Sequence, residues 1–228
     1  MAYSNAVLNA TPGLANQVLA PIAASPAAGL GSARQMGPLD YTPPCAAPPA
    51  GMVGWWQAEG DASDALHLDN GTLYGSAGFL GGEVGYAFGF DGATGYVEVP
   101  DSPVLLLTDE LTIEFWVQRR NLQSEDYIIN KGGDFTRGAL NYGVTFNRAQ
   151  SGNRLVFTFA GGYRRSVSIA DLNWHHIAVV ARHGDANPAF YVDGVGQPVA
   201  DGGGAATINL YPSTEPLQVG AQVDPVSG

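Results

Sequence analysis

Leu111-Thr-Ile-Glu-Phe-Trp-Val-Gln118 decides the fold of this chain. Apolar and polar residues alternate along it. Leu111, Ile113, Phe115 and Val117 therefore share one face of an extended strand, and Thr112, Glu114, Trp116 and Gln118 share the other. Working outward, Arg154-Leu-Val-Phe-Thr-Phe159 alternates in the same way. Trp174-His-His-Ile-Ala-Val-Val-Ala-Arg182 is nearly continuous in apolar residues, as a strand covered on both faces should be. Asn187 to Val192 then runs into Asp193-Gly194, a hairpin signal. Further extended runs are predicted at Met52–Trp56, Gly85–Phe90, Tyr96–Val99, Tyr127–Asn130, Tyr142–Phe146, Val167–Ile169, Thr207–Leu210 and Leu217–Val219. Asn70-Gly71, Asp91-Gly92, Gly132-Gly133, Ser151-Gly152, Gly161-Gly162 and Gly202–Gly204 punctuate them as turns. Strands at this spacing without intervening helices predict an all-β sandwich or jelly roll.

Composition agrees. Hydrophobic residues make up 45% of the 228 residues and charged ones 14%, so the chain can fill a core while its surface relies on small polar residues. The formal net charge of -11 repels phosphate backbones and argues against nucleic acid as a partner. The single Cys45 excludes a disulfide within the chain and a cysteine-based zinc site. It is either an incidental thiol or a link to another chain. No apolar run is long enough for a membrane span. Met1 to Asn16 lacks a basic region followed by an apolar one and does not read as a secretory signal peptide.

Residues 1–50 differ from the rest. They hold eight of the fifteen prolines, only Arg34 and Asp40 as charges, and no Phe or Trp. A stretch without large side chains cannot form a core of its own. It reads as an irregular Ala/Pro-rich arm or linker ahead of a β domain spanning 51–228.

Seven short motifs run in a recognisable order. They are Gly54-Trp-Trp56, Asp69-Asn-Gly-Thr-Leu73, Gly85-Tyr-Ala-Phe-Gly-Phe-Asp-Gly92, Tyr96-Val-Glu-Val-Pro-Asp-Ser102, Leu111 to Val117, Trp174-His-His-Ile-Ala178 and Phe190-Tyr-Val-Asp-Gly194. Together they resemble the laminin-G-like, concanavalin A-like jelly rolls of bacterial extracellular proteins, over roughly Gly51 to Gln222. The resemblance implies two packed antiparallel sheets of six or seven strands each. It also implies a non-catalytic extracellular or surface-associated module that binds glycan or protein. One feature departs from the family. Its members continue past a strand like Leu217-Gln-Val-Gly220 into a closing strand that pairs near the first one, and no such strand follows here. The domain therefore reads as lacking its final strand, with an open edge beside Met52–Trp56. Residues 1–50, or another chain, are expected to cover it, which makes other copies of the protein candidate partners.

Candidate site residues follow from residue type. Trp116, among polar residues on its face, can stack on a sugar or pack beneath a loop. Tyr127, Tyr142 and Tyr163 lie near strand ends and are candidates to line a binding edge. The loop Glu59–Asp64 and the turns at Asp69, Asn70 and Asp91 supply hard oxygen ligands. They are candidates for one structural calcium, or else ordinary turns. His175 and His176 point to opposite faces and cannot share a metal; one of them should be a buried, hydrogen-bonded histidine. Jelly-roll glycosidases carry acids on alternate residues of one strand. Here Glu110 and Glu114 are separated on their face by Thr112, which argues against an enzyme. The expectation is a non-catalytic binding or adhesion module. The alternatives are a structural subunit of a surface appendage or virion assembled through its arm and, last, a glycoside hydrolase.

Overall fold

The computed structural model describes residues 2–9 by their backbone, together with residues 48, 50–133, 140–147 and 152–221. Two antiparallel sheets pack face to face as a jelly-roll sandwich. Across sheet A the strands run β14 (Val195–Gln197), β13 (Ala189–Val192), β12 (Trp174–Arg182), β7 (Glu110–Gln118), β1 (Ala2–Asn9), β5 (Tyr86–Gly89) and β4 (Gly78–Gly81), and β2 (Met52–Trp56) also pairs with β1. Across sheet B they run β15 (Asp201–Gly204), β11 (Gly162–Ser168), β10 (Arg154–Phe159), β9 (Tyr142–Phe146), β8 (Asp126–Lys131), β16 (Leu217–Val219), β6 (Tyr96–Val99) and β3 (Thr72–Tyr74). Each sheet thus has eight strands rather than the six or seven expected. The additions are short strands at the edges and the strand formed by Ala2–Asn9.

The alternation read in β7 is the alternation observed. Leu111, Ile113, Phe115 and Val117 are buried, and Thr112, Glu114, Trp116 and Gln118 are half-buried on the outer face. From sheet B, Val97, Val99, Tyr142, Val144, Phe146, Leu155, Phe157, Phe159, Leu217 and Val219 close the core. Of the two adjacent tryptophans, Trp56 is fully buried. Thr207–Leu210, expected as a strand, forms no ladder. Its Ile208 and Leu210 nevertheless fill the core, while the Ile208 N–H donates to Asp185 O and the Leu210 N–H to His183 Nδ1. Gly202–Gly204, expected as a turn, lies in β15 and pairs with β11.

Arg119 and Lys131 are buried cations with fixed acceptors. Arg119 Nε donates to Asp126 Oδ2 at 2.8 Å, both side chains being buried, and its guanidinium lies 4.9 Å from the Phe146 ring centre. Lys131 is fully buried and its Nζ donates to Asp101, Ser213 O and Glu215 O, pinning the loop before β16 to β8. All of its visible partners are structural acceptors, so it is a clamp.

The edge beside Met52–Trp56 is filled. One side of β1 pairs with β7 from Ala2↔Gln118 to Asn9↔Thr112. Its other side pairs with β5 through Ala2↔Gly89 and Tyr3↔Phe88, then with β2 from Ala6↔Trp56 to Asn9↔Met52. Cys45 and residues 10–47 lie outside the described residues.

Candidate binding faces and the first loop

The outer face of sheet B is built by register. Thr72, Glu98, Gln218, Asn130, Gly143, Thr158, Tyr163 and Gly203 stand opposite one another in one row across all eight strands. The rows on either side of it, such as Leu73–Val97–Val219–Ile129–Val144–Phe157, point into the core. Period two therefore turns the polar row outward. Gly143 is small for a reason. A Cβ there would come within 2.5 Å of Asn130 Oδ1 and 2.7 Å of Thr158 Oγ1, so the centre of the row needs a residue without a side chain.

Tyrosines mark this face. Tyr74 and Tyr96 stack at 4.9 Å and 9° near one edge. Tyr163 lies near the other, with the Arg165 guanidinium 4.5 Å from its ring centre. Its ring crosses β15 at Gly203, where a Cβ would sit 2.8 Å from the tyrosine hydroxyl. Arg165 and Arg154 both pair with Asp201 beside it. Tyr127 stands in the neighbouring outward row, opposite Thr145, and donates to Glu125 Oε1 at 2.9 Å. From β6 to β11 is five strand spacings, about 24 Å. The middle of the face is buried, and there Gln218 Oε1 and Thr145 Oγ1 have no hydrogen-bond partner.

The four predicted binding residues do not form one site. Tyr127 and Tyr163 share sheet B, whereas Trp116 lies on the outer face of sheet A. Tyr142 is corrected outright. It is fully buried in the core opposite Phe159, and its hydroxyl donates to Leu105 O at 3.1 Å. Burial, and secondarily the charge of Asp69, raise its pKa; it cannot line a binding edge.

On the outer face of sheet A, Trp116 packs against His176, its register partner, at 5.4 Å between ring centres. His176 is the buried histidine, but not the hydrogen-bonded one: its Nδ1 has no partner, and burial, opposed by Asp193, lowers its pKa. The bonded ring is that of His175, between Asp193 Oδ2 at 2.8 Å and Asp171 Oδ1 at 3.0 Å. Burial opposes its charge, but the two carboxylates together outweigh burial and raise its pKa.

Glu114 lies opposite Ala178 on β12 and Val7 on β1, so neither strand partner is a carboxylate. Glu110 is four residues along, about 13 Å away, and its Oε2 accepts from Arg182 Nη2 at 2.9 Å. A retaining glycosidase needs two carboxyls about 5 Å apart, an inverting one about 6.5–9.5 Å; this pair meets neither. Glu110 and Arg182 instead line an open hollow of about 620 Å³ with Leu106, Thr108 and His183.

Burial pushes the Glu114 carboxyl up to about 7. Between its unfolded value of 4.5 and 7 the folded protein keeps a proton that the unfolded chain loses. Its contribution to stability is therefore full below that window and lost as pH rises through it, by at most about 3 kcal/mol. Glu114→Gln is expected to flatten the decline measured by urea unfolding at pH 5 and pH 8. An unchanged slope would show that the carboxyl is solvated.

In the first loop the central group is Asp64, a residue the sequence offered only as a possible metal ligand. It is fully buried. Its Oδ1 accepts from the N–H groups of Trp55 at 2.8 Å and Leu66 at 3.1 Å. Its Oδ2 accepts from those of Leu68 at 3.1 Å and Asp69 at 3.3 Å. Asn70 Oδ1 accepts from the Asp64 N–H, and Asp69 Oδ2 from the Ser102 hydroxyl. Asp91 serves a separate turn, where the Ser76 hydroxyl and the N–H groups of Ala93, Gly95 and Thr94 hold its pKa well below the usual carboxylate range. Among the described residues no three His, Cys, Asp or Glu side chains converge as metal ligands. Asn70 and Asp91 thus serve turn-forming roles, as Asp64 does.

Among the described residues no helix is long and apolar enough to cross a membrane. No curated protein matches the sequence. The fold is similar to the binding domain of Paraclostridial Mosquitocidal Protein 1, at 14% identity and a TM-score of 0.45, over 72% of this chain. The match spans 42% of that chain's length. The sequence model of the Concanavalin A-like lectin/glucanases superfamily matches residues 91–228. That stretch carries β6 to β16, and the chain belongs to this superfamily.

Proposed function

We propose that the protein is a non-catalytic extracellular binding module whose ligand, a glycan or a protein surface, seats on the outer face of sheet B. The observation that carries this reading is the polar row from Thr72 to Tyr163, flanked by the Tyr74–Tyr96 stack and by Tyr163. Tyrosine offers a flat apolar surface with a hydrogen-bonding tip, which suits the face of a sugar ring and the core of a protein interface alike. The carboxylate spacing in β7 supports the absence of hydrolysis.

The test is a glycan array and a surface-protein array, followed by titration of the best binder. Tyr163→Ala and Tyr96→Ala are each expected to weaken binding about tenfold, equivalent to about 1.4 kcal/mol. Trp116→Ala, on the opposite sheet, should leave affinity unchanged. Loss of binding in the Trp116 variant, with neither tyrosine variant affected, would place the site on sheet A and overturn the assignment.

A further inference from the structure

We propose that Ala2–Asn9 is an exchangeable strand, and that the slot between β7 and β2 is the surface through which a second copy of this chain docks. This inference stands apart from the binding reading and concerns sheet A alone. By register, among the described residues, β1 alone bridges two parts of that sheet. On one side stand β7, β12, β13 and β14; on the other stand β2, β5 and β4. Without β1, the β7 ladder facing the slot and the β2 and β5 ladders across it would all be unpaired. Such edges accept any strand of suitable sequence.

The strand best suited is an identical one, because a neighbour's Ala2–Asn9 makes the same bonds as the resident copy. The difference between the two arrangements lies in the connection. Roughly 40 residues separate Asn9 from Met52, rich in Ala and Pro and free of Phe and Trp. A random chain of 42 residues has an end-to-end distance of about 35 Å, close to the width of a domain of this size, about 40 Å. A resident strand on such a tether has an effective concentration on the order of millimolar. Exchange therefore overtakes self-pairing when chains crowd above that level, as in an array on a surface. The two ladders of β1 are also interrupted. β1 slips against β7 between Ser4 and Val7, and against β2 between Leu8 and Asn9, so neither ladder is continuous. Exchange of identical elements is a low-cost route to assembly.

The register supplies the test, since Asn9 and Thr112 are Cα partners. All variants are full-length and carry Cys45→Ala. Asn9→Cys with Thr112→Cys in one chain should form an internal disulfide at micromolar concentration. Asn9→Cys chains mixed with Thr112→Cys chains, refolded together and oxidised, can join only by exchange. The expected result is a cross-chain product on non-reducing gels that becomes the major species above about 1 mM. It should be at least tenfold enriched over a mixture of Asn9→Cys with Val195→Cys, a control on exposed β14. Failure of the double variant to link internally would remove β1 from the slot and with it the proposal. Internal linkage without any cross-chain product at millimolar concentration would overturn exchange while leaving the binding face on sheet B untouched.

Discussion

Removing residues 1–48 is expected to lower the thermal midpoint by roughly 10–20 °C, the largest effect of any change considered. The deletion strips β7 of its partner from Gln118 to Thr112 and leaves β2 and β5 facing an empty slot. β7 is the central strand of sheet A and carries Leu111, Ile113, Phe115 and Val117 into the core. Loosening it therefore reaches the packing between sheets. A loss of about 5 kcal/mol is a large share of the stability of an ordinary domain. At about 2–4 °C per kcal/mol for a domain of this size it gives the stated shift. Hydrogen exchange adds a local readout, because the β7 amides that face β1 should lose protection while those of β10 keep theirs. A truncated protein with an unchanged midpoint and protected β7 amides would show that Ala2–Asn9 does not hold the slot.

Asp64→Ala should cost about 3–5 kcal/mol, as expected when a buried charged acceptor is removed and its donors stay behind. Four backbone N–H groups, those of Trp55, Leu66, Leu68 and Asp69, lose their acceptor together. The loop they shape also receives the Trp56 indole, whose Nε1–H donates to Asp69 O at 2.9 Å. The damage should then appear as a change in tryptophan fluorescence as well as a lower urea midpoint. Asp64→Asn keeps one acceptor oxygen but turns an amide NH₂ toward the remaining donors, so an intermediate loss is expected. A loss below about 1 kcal/mol for the alanine variant, set against the penalty for unpaired buried groups, would mean that water replaces the carboxylate and the loop is not organised by it.

Legibility varied by element for physical reasons. Tyr96–Val99, Tyr142–Phe146, Arg154–Phe159, Trp174–Arg182 and Leu217–Val219 run between the bounds expected of them. Their apolar and β-branched residues announce burial locally. Asp201–Gly204 was hidden by its glycines, which signal a turn in isolation; in the fold they let Tyr163 lie across the strand. Tyr142 was misplaced because a tyrosine near a strand end suits a rim as well as a core. Only its register opposite Phe159 buries it. The role of Asp64 as acceptor for its own loop was hidden because composition does not show which way a carboxylate oxygen points.

The sequence by itself determined the alternating strands, the turns between them and the all-β sandwich, because period-two patterning and turn chemistry act over a few residues. It also marked the stretch ahead of Gly51 as unable to form a core. Only the tertiary structure decided that Ala2–Asn9 pairs beside β7, that Tyr127 and Tyr163 share the outer face of sheet B, and that Trp116 stands on the other sheet. Those outcomes depend on which strands become neighbours. Neighbouring strands are joined by backbone groups that are identical in every residue, and the side-chain pairs that choose between partners come from segments far apart in sequence, so one segment read alone shows its burial and not its partner.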